Sequence, residues 1–232
     1  MFEKISFIKP DIPFDKTKFY APMFRKNFVL SGTIKTAELS ICGLGYSYIW
    51  LNGKKITPDL FIAPVGNYFK TLWYNTYDVT NLLNKGENIL AIICGCGWYN
   101  EGIESAWDFD KAKWRDNPKF IMQLDADGNT VVKSDNSWKC NINSPITYNQ
   151  LRCGEHFDSR LYDEKWTKQN FDDSAWRQAE EDSTPPKGVF RLCECEPIRE
   201  CKVFPAKTMY QTGDNKYIFG DCFVFCVKSK QG

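Results

Sequence analysis

A single histidine, His156, stands in 232 residues, so any mechanism built on a histidine base with a nucleophile and an orienting acid depends on that one side chain. It lies in Gly154-Glu-His-Phe-Asp158, which is not a nucleophile elbow. A dominant charge is missing as well. Thirty Lys and Arg nearly cancel twenty-nine Asp and Glu, which leaves no field to gather a polyanion such as nucleic acid. Met1 to Tyr20 breaks its short apolar groups with Glu3, Lys4, Lys9, Asp11 and Asp15. That pattern has no h-region of a signal peptide, and no later stretch is apolar for long enough to span a bilayer. The expectation is a cytoplasmic protein with no nucleic-acid or membrane partner. Nor does any segment longer than about ten residues sustain a 3.6-residue apolar period, so helices have little claim on the chain.

Aromatic side chains are abundant, 16% of all residues within a composition that is 43% hydrophobic. A chain of this length buries roughly 70–75% of its unfolded surface, enough for a full core without metals or staples. The ten cysteines therefore read mostly as reduced thiols rather than a disulfide framework. Cys94 and Cys96 alternate with Gly in an apolar run, where a thiol acts as a small hydrophobe. Cys193, Cys195 and Cys201 invite a zinc or reactive-thiol reading, although a one-residue gap is tighter than usual for metal ligands and no histidine lies near.

Phe24 to Leu30 alternates apolar and polar residues before Ser31-Gly32, as an antiparallel strand with one wet face does. Ala37 to Cys42 and Ser47 to Leu51 repeat the pattern around Gly43-Leu-Gly45, and Asn52-Gly53 marks a tight hairpin leading into Lys54 to Ile56. Tyr74 to Leu83 places Asp78 or Thr80 to cap a short helical turn. Asn88 to Cys96, nearly all apolar, suits the centre of a sandwich. Phe120 to Leu124, Asp127-Gly128 and Thr130 to Lys133 read as a hairpin, followed by short strands at Ser137 to Cys140 and Ile146 to Gln150. Strands at this spacing predict a mainly β jelly roll or sandwich. Pro185-Pro186 is the natural boundary, giving a leader over 1–22, a sandwich over 23–185, and a linker with new strand-like runs from Val189 and Lys202 over 186–232.

Between Gly97 and Pro118 the alternation stops. This stretch holds Trp98, Tyr99, Trp107 and Trp114 among Glu101, Glu104, Asp108, Asp110 and Asp116. Long irregular loops are commonly functional or mobile. Aromatic faces beside carboxylates suit a sugar, whose C–H face lies on a ring while its hydroxyls need acceptors. The same rings also serve to close one end of a sandwich. The carbohydrate candidates in this stretch are Trp98, Glu101, Trp107 and Trp114. The acidic pairs Glu101 with Glu104, Asp108 with Asp110, and Glu155 with Asp158 are ordinary loop carboxylates, and no residue is assigned to catalysis.

Met23 to Ile56 (MFRKNFVLSGTIKTAELSICGLGYSYIWLNGKKI) and Tyr74 to Tyr99 (YNTYDVTNLLNKGENILAIICGCGWY) resemble the amino-terminal module of bacterial α-L-rhamnosidases. So do the downstream FIMQLDADG, SDNSWKC, GEHFDSRL and FDDSAW, in the same order. The resemblance covers most of Met23 to Trp176. It implies a galactose-binding-like β-sandwich ahead of a second β-sandwich and an (α/α)6 barrel, where inverting hydrolysis releases terminal rhamnose. The chain has no room for that barrel, and Lys216 to Gly232 looks like the opening strands of the next β domain. The implied role is a scaffold or carbohydrate-binding module, with the catalytic domain of the same polypeptide and a rhamnose-type sugar as partners. Some family members bind rhamnose through calcium, with an acidic and an amide residue where Asp116 and Asn117 stand here, and the resemblance adds Glu155 and Asp158 as candidates because GEHFD returns near the same end of the family's sandwich; calcium takes such oxygen donors, and Asp-Asn before Pro is also an ordinary turn. In that setting Asp172-Asp173-Ser174 reads as a turn docking Trp166, Phe171 and Trp176 onto the sandwich. The alternatives are a self-sufficient glycosidase using loop carboxylates, or a metal or thiol protein using Cys193 to Cys201.

Overall fold

The structure is a computed structural model and describes residues 2–56, 59–213 and 216–220. The described residues fall into two units, one comprising 2–56 and 61–194, the other 59–60, 195–213 and 216–220.

The first unit holds fourteen strands. Its first half has β1 (Ile8–Pro10), β2 (Met23–Leu30), β3 (Ala37–Leu44), β4 (Ser47–Leu51), β5 (Lys54–Lys55), β6 (Thr71–Asp78) and β7 (Gly86–Cys94). The second has β8 (Lys119–Ala126), β9 (Asn129–Lys133), β10 (Lys139–Asn141), β11 (Ile146–Gln150), β12 (Gly154–Phe157), β13 (Arg177–Glu181) and β14 (Val189–Leu192). One layer runs β14-β6-β3-β8 with β9 also on β8, the other β10-β2-β7-β4-β5, and β1 and β13 join them. Strand β13 changes partner along its length: Arg177 and Gln178 pair with β10, Ala179 to Glu181 with β1. The sheet path thus folds over and closes two layers on one core.

The core follows from the two-residue period of the strands, which puts alternate side chains on one face. Phe24, Leu90, Ile92, Ile49 and Leu51 come from one layer, and Leu39, Ile41, Phe120, Met122 and Leu124 from the other. Phe24 meets Phe120 edge-on across the layers with ring centres 5.1 Å apart, and Phe120 meets Trp138 at 5.3 Å. Burying each such side chain stabilises the fold by about 1.5–3 kcal/mol. This is the mainly β, galactose-binding-like jelly-roll sandwich that the resemblance implies.

The predicted Asn52-Gly53 hairpin forms with φ angles of 53° and 79°, the backbone a two-residue primed turn requires. Asn52 then bridges elements. Its amide donates to the Leu82 carbonyl and to Asn88 Oδ1, both at 2.8 Å, and its own Oδ1 accepts from the Ile89 N–H at 2.9 Å. The fully buried Asn88 donates in turn to the Asn84 and Gly86 carbonyls.

Two expectations differ from the structure. The described residues of the expected leader pack into the first unit: Phe2, Phe7 and Ile8 are buried, and β1 pairs with β13 and β8. Three residues are too few to show alternation, and only long-range pairing makes them a strand. The expected short helical turn is the 3-10 turn Thr80–Leu82, with Asp78 accepting from the Thr80 N–H at 2.9 Å, and Tyr74 to Asp78 ahead of it is strand. Past Pro185-Pro186, β14 returns to the first unit as a parallel partner of β6. No strand begins at Lys202. The second unit instead carries a hairpin of β15 (Thr208–Gly213) and β16 (Lys216–Gly220), with a bridge between Leu60 and Ile198. Residues 221–232 of the expected opening strands lie outside the described residues.

Candidate functional site

A cleft of about 250 Å³ opens in the first unit between the β3–β4 turn, the chain following β7 and the β11–β12 hairpin. Tyr46, Tyr48 and Phe61 supply its rings, Asn149 and Gln150 its amides, and Glu155 its carboxylate. Glycine makes the turn possible. Gly45 has φ of +106°, and a Cβ there would sit 2.1 Å from the Gly95 carbonyl oxygen, so only glycine allows the backbones to approach this closely. Tyr46 and Gly95 exchange backbone hydrogen bonds of 3.2 and 2.7 Å. The Tyr46 ring stands against Phe61 with centres 5.3 Å apart.

The amides are committed to the wall. Asn149 Oδ1 accepts from the Cys96 N–H at 2.6 Å and its Nδ2 donates to the Phe19 carbonyl at 2.9 Å. Gln150 accepts from the Gly102 N–H at 2.8 Å and donates to the Asn100 carbonyl at 3.2 Å. Glu155 is different: burial pushes its carboxyl above the ordinary value. Burial also raises the Tyr48 hydroxyl, with the Glu155 charge adding to it. Tyr46 is raised by burial and then by the charge of Glu101, against a hydrogen bond from the Trp98 side chain.

The loop from Gly97 to Pro118 gathers its aromatics into a chain of rings. Trp98 lies 6.0 Å from Trp107 and 5.1 Å from Phe109, and Phe109 lies 6.4 Å from Trp114, which touches Tyr68 at 5.5 Å. Arg152 stacks over Trp107 at 4.9 Å. Trp107 remains 64% exposed, whereas Trp98 and Trp114 are half-buried. Glu101 is fully buried; its Oε1 accepts from the Ile103 N–H at 3.0 Å, while Oε2 makes no hydrogen bond.

Asp116 and Asn117 face inward to a different cluster. Asp116 Oδ2 takes the Lys119 ammonium at 2.6 Å and Oδ1 the Asn117 N–H at 2.8 Å. Asn117 accepts from the Tyr20 hydroxyl at 3.0 Å and donates to the Ile12 carbonyl at 2.9 Å. Lys119 also bonds Asp182, and Lys9 lies 3.9 Å from Asp116, Glu180 and Asp182. Calcium takes six to eight oxygens. Here an ammonium is already bonded to the carboxylate, and among the described residues no three His, Cys, Asp or Glu converge as metal ligands. The pair as arranged does not fit the ion.

Of the residues singled out in the sequence as carbohydrate candidates, Glu155 lines this cleft, while Tyr46, Tyr48 and Phe61 were not among them. The Gly43-Leu-Gly45 and Cys94-Gly-Cys-Gly97 alternations, where backbones pack closely, were its only signal. Asp158 is tied to Arg160 at 2.6 Å and held down to about 2 by hydrogen bonds from that arginine's side chain and backbone. His156 stacks on Tyr148 at 4.9 Å in the β11–β12 hairpin. Cys193 belongs to the first unit, Cys195 and Cys201 to the second.

Fold and cleft define a jelly-roll β-sandwich module. Residues 32–202 match the Alpha-L-rhamnosidase N-terminal domain, and the chain belongs to that family. It is 30% identical over 214 residues to an α-L-rhamnosidase of Formosa agariphila, spanning 89% of this chain and 22% of that protein. Among solved structures it is similar to the α-L-rhamnosidase of Dictyoglumus thermophilum, with a TM-score of 0.77, 30% identity, and coverage of 93% of this chain and 25% of that one. The α-L-rhamnosidase of Aspergillus terreus superposes with a TM-score of 0.79 at 26% identity, covering 94% and 26%. The chain therefore spans about a quarter or less of these relatives.

Proposed function

We propose that this chain is a non-catalytic accessory module of an α-L-rhamnosidase, a scaffold that serves the catalytic domain releasing terminal rhamnose by inverting hydrolysis. What carries the reading is the lone carboxylate of the cleft, Glu155. Inversion needs an acid and a base roughly 6.5–9.5 Å apart with room for water between them. The other side chains that line this cleft are aromatic, aliphatic or amide, and Asp158, which does not line it, is bonded to Arg160. Another cleft among the described residues, about 200 Å³, likewise has one carboxylate in its lining, Asp11. Family membership supports the rhamnosidase context.

The test is hydrolysis of an aryl α-L-rhamnoside by this chain alone. The expected result is no release above a heat-denatured control. Turnover that disappears in Glu155→Gln would overturn the reading and make the chain a self-sufficient glycosidase. A second role, carbohydrate binding, is favoured by the ring-walled cleft.

A further inference from the structure

We infer that the cleft of about 200 Å³ between the chain after β1 and the chain after β10 binds a small zwitterion of the α-amino-acid class. This role is additional to the accessory-module reading and does not depend on it. The sheet makes the cleft where its strands part. β13 pairs with β1 through Ala179 and with β10 through Arg177, and past Pro10 and Asn141 both neighbours run on as loops. Asp11 comes from the first loop, Asn143 from the second, and Arg177 from the start of β13. Asp11 and Arg177 make no ion pair or side-chain hydrogen bond, with each other or with any other described residue. Elsewhere on the surface, opposite charges within reach close up, Asp108 on Lys111, Asp158 on Arg160 and Glu164 on Lys168. Here the two signs line one concavity and stay apart.

A ligand that satisfies both must carry both charges. The guanidinium fork of Arg177 fits a carboxylate, and the Asp11 carboxylate takes the N–H groups of an ammonium. Because the two charges of the cleft cancel, a simple anion or cation meets one attraction and one repulsion. Asn141 spends its Oδ1 on the Asn143 N–H at 2.9 Å, which leaves its Nδ2 and the whole Asn143 amide free of partners among the described residues. The apolar part of the lining is Ile12, Ile142 and Trp176, which favours an aliphatic side chain on the ligand. The volume is below the usual range of small-molecule pockets, roughly 300–1,000 Å³, and limits the ligand to a compact amino acid such as valine. The walls are fixed beforehand. The Ile12 N–H donates to the Pro10 carbonyl at 2.8 Å and the Ile12 carbonyl accepts from Asn117 at 2.9 Å, while the buried Trp176 packs on Phe171 with ring centres 5.7 Å apart. A preformed site lowers the cost of binding.

The experiment is a protein-observed NMR titration of the chain, of Asp11→Asn and of Arg177→Gln. The probes are L-valine, isobutylamine, which is valine without its carboxylate, and isovalerate, which is valine without its ammonium. The expected result is saturable binding of L-valine that moves the Trp176 indole and Asn143 amide signals, with each single-charge analogue weaker by roughly tenfold or more. Each variant should weaken L-valine by a similar factor. Arg177→Gln should also cease to distinguish valine from isobutylamine, and Asp11→Asn to distinguish it from isovalerate. Both side chains are exposed and unpartnered, so the ligand-free melting midpoints should match the wild type, and a loss of binding is then not a loss of fold. No valine binding by the folded chain, an analogue that binds as tightly as valine, or binding untouched by both variants would overturn the proposal. None of these outcomes bears on hydrolysis of an aryl rhamnoside, so failure here and failure of the accessory reading are distinct.

Discussion

Lys119 and Asp182 form an ion pair whose side chains are 1% and 0% exposed, joining the first residue of β8 to the residue that follows β13. Two charges withdrawn from water this fully are costly unless each is satisfied. Lys119 has Asp116 as a second partner, while Asp182 also accepts from the Thr184 N–H at 3.0 Å and approaches Lys9. The pair therefore acts as a clamp that ties the end of the first unit's sheet to the loop ahead of β8.

Removing one partner should unfold more than removing both. Lys119→Met leaves Asp182 buried without its main cation, and a loss of about 3–5 kcal/mol is expected. The double variant Lys119→Met with Asp182→Leu should recover most of it in urea unfolding. Equal losses in both would show that the charges are not coupled.

The same clamp sets an acid limit. Burial pushes the Asp182 carboxyl up, but the Lys119 hydrogen bond and charge, the Thr184 N–H and Lys9 outweigh it, and the carboxyl lies below its ordinary value. A depressed folded-state value means the stabilisation is complete above the unfolded value, about 3.9, and is lost as pH falls through the folded one. The unfolding midpoint should drop below about pH 4 in the wild type. The double variant should lose less over that window in a pH series of melts.

Calcium should leave the chain unchanged. A ligand that binds only the folded state raises stability by RT ln(1 + [L]/Kd), yet Lys119 already holds Asp116. The expected melting curves in calcium and in chelator coincide. A calcium-dependent rise that Asp116→Ala abolishes would restore the metal reading of Asp116 and Asn117.

Local grammar was legible wherever it is made locally. The Asn52-Gly53 turn, β4, and the apolar β7 follow from turn chemistry and side-chain period alone. The strands that close the sandwich did not announce themselves. β1 is three residues long, and β13 (Arg177–Glu181) carries Arg, Gln and Glu on its exposed positions, so each becomes a strand only by pairing with the other and with a third. The cleft was hidden for a related reason. Its rings come from Tyr46, Tyr48 and Phe61 while its carboxylate comes from Glu155, some hundred positions on, and no spacing rule links them. The tryptophan loop drew attention because its residues are adjacent in sequence. Asp116 looked like a ligand because its type and place match the family's pattern, whereas the fold turns the Lys119 ammonium back onto its carboxylate and brings in the remote Asp182 as that lysine's second partner.

Arg25 offers a case where a buried charge organises a whole segment. It is 1% exposed on β2, donates to the Trp166 carbonyl at 3.0 Å and the Lys168 carbonyl at 2.8 Å, bonds Asp173, and lies over the Phe171 ring at 5.5 Å. Those contacts dock Trp166, Phe171 and Trp176 on the outer face of the β2–β7–β4 layer. Arg25→Met should cost about 3–5 kcal/mol, and hydrogen exchange should accelerate first over residues 164–176. Uniform acceleration across the sandwich would show that the segment has no hinge of its own.

Thiol reactivity separates the packing cysteines from the accessible ones. Burial pushes the Cys94 and Cys96 thiols up to about 12, and raises Cys42 and Cys140 as well. The thiolate is the reactive form, so these four should stay unlabelled by iodoacetamide in the native chain even at pH 9. Cys153 and Cys195 are exposed and should be alkylated within the same interval, with peptide mass spectrometry assigning each site. Denaturation should then open the buried four together. If Cys94 or Cys96 labels in the native state, the end of β7 and the chain after it open without global unfolding, and the wall of the cleft is not rigid.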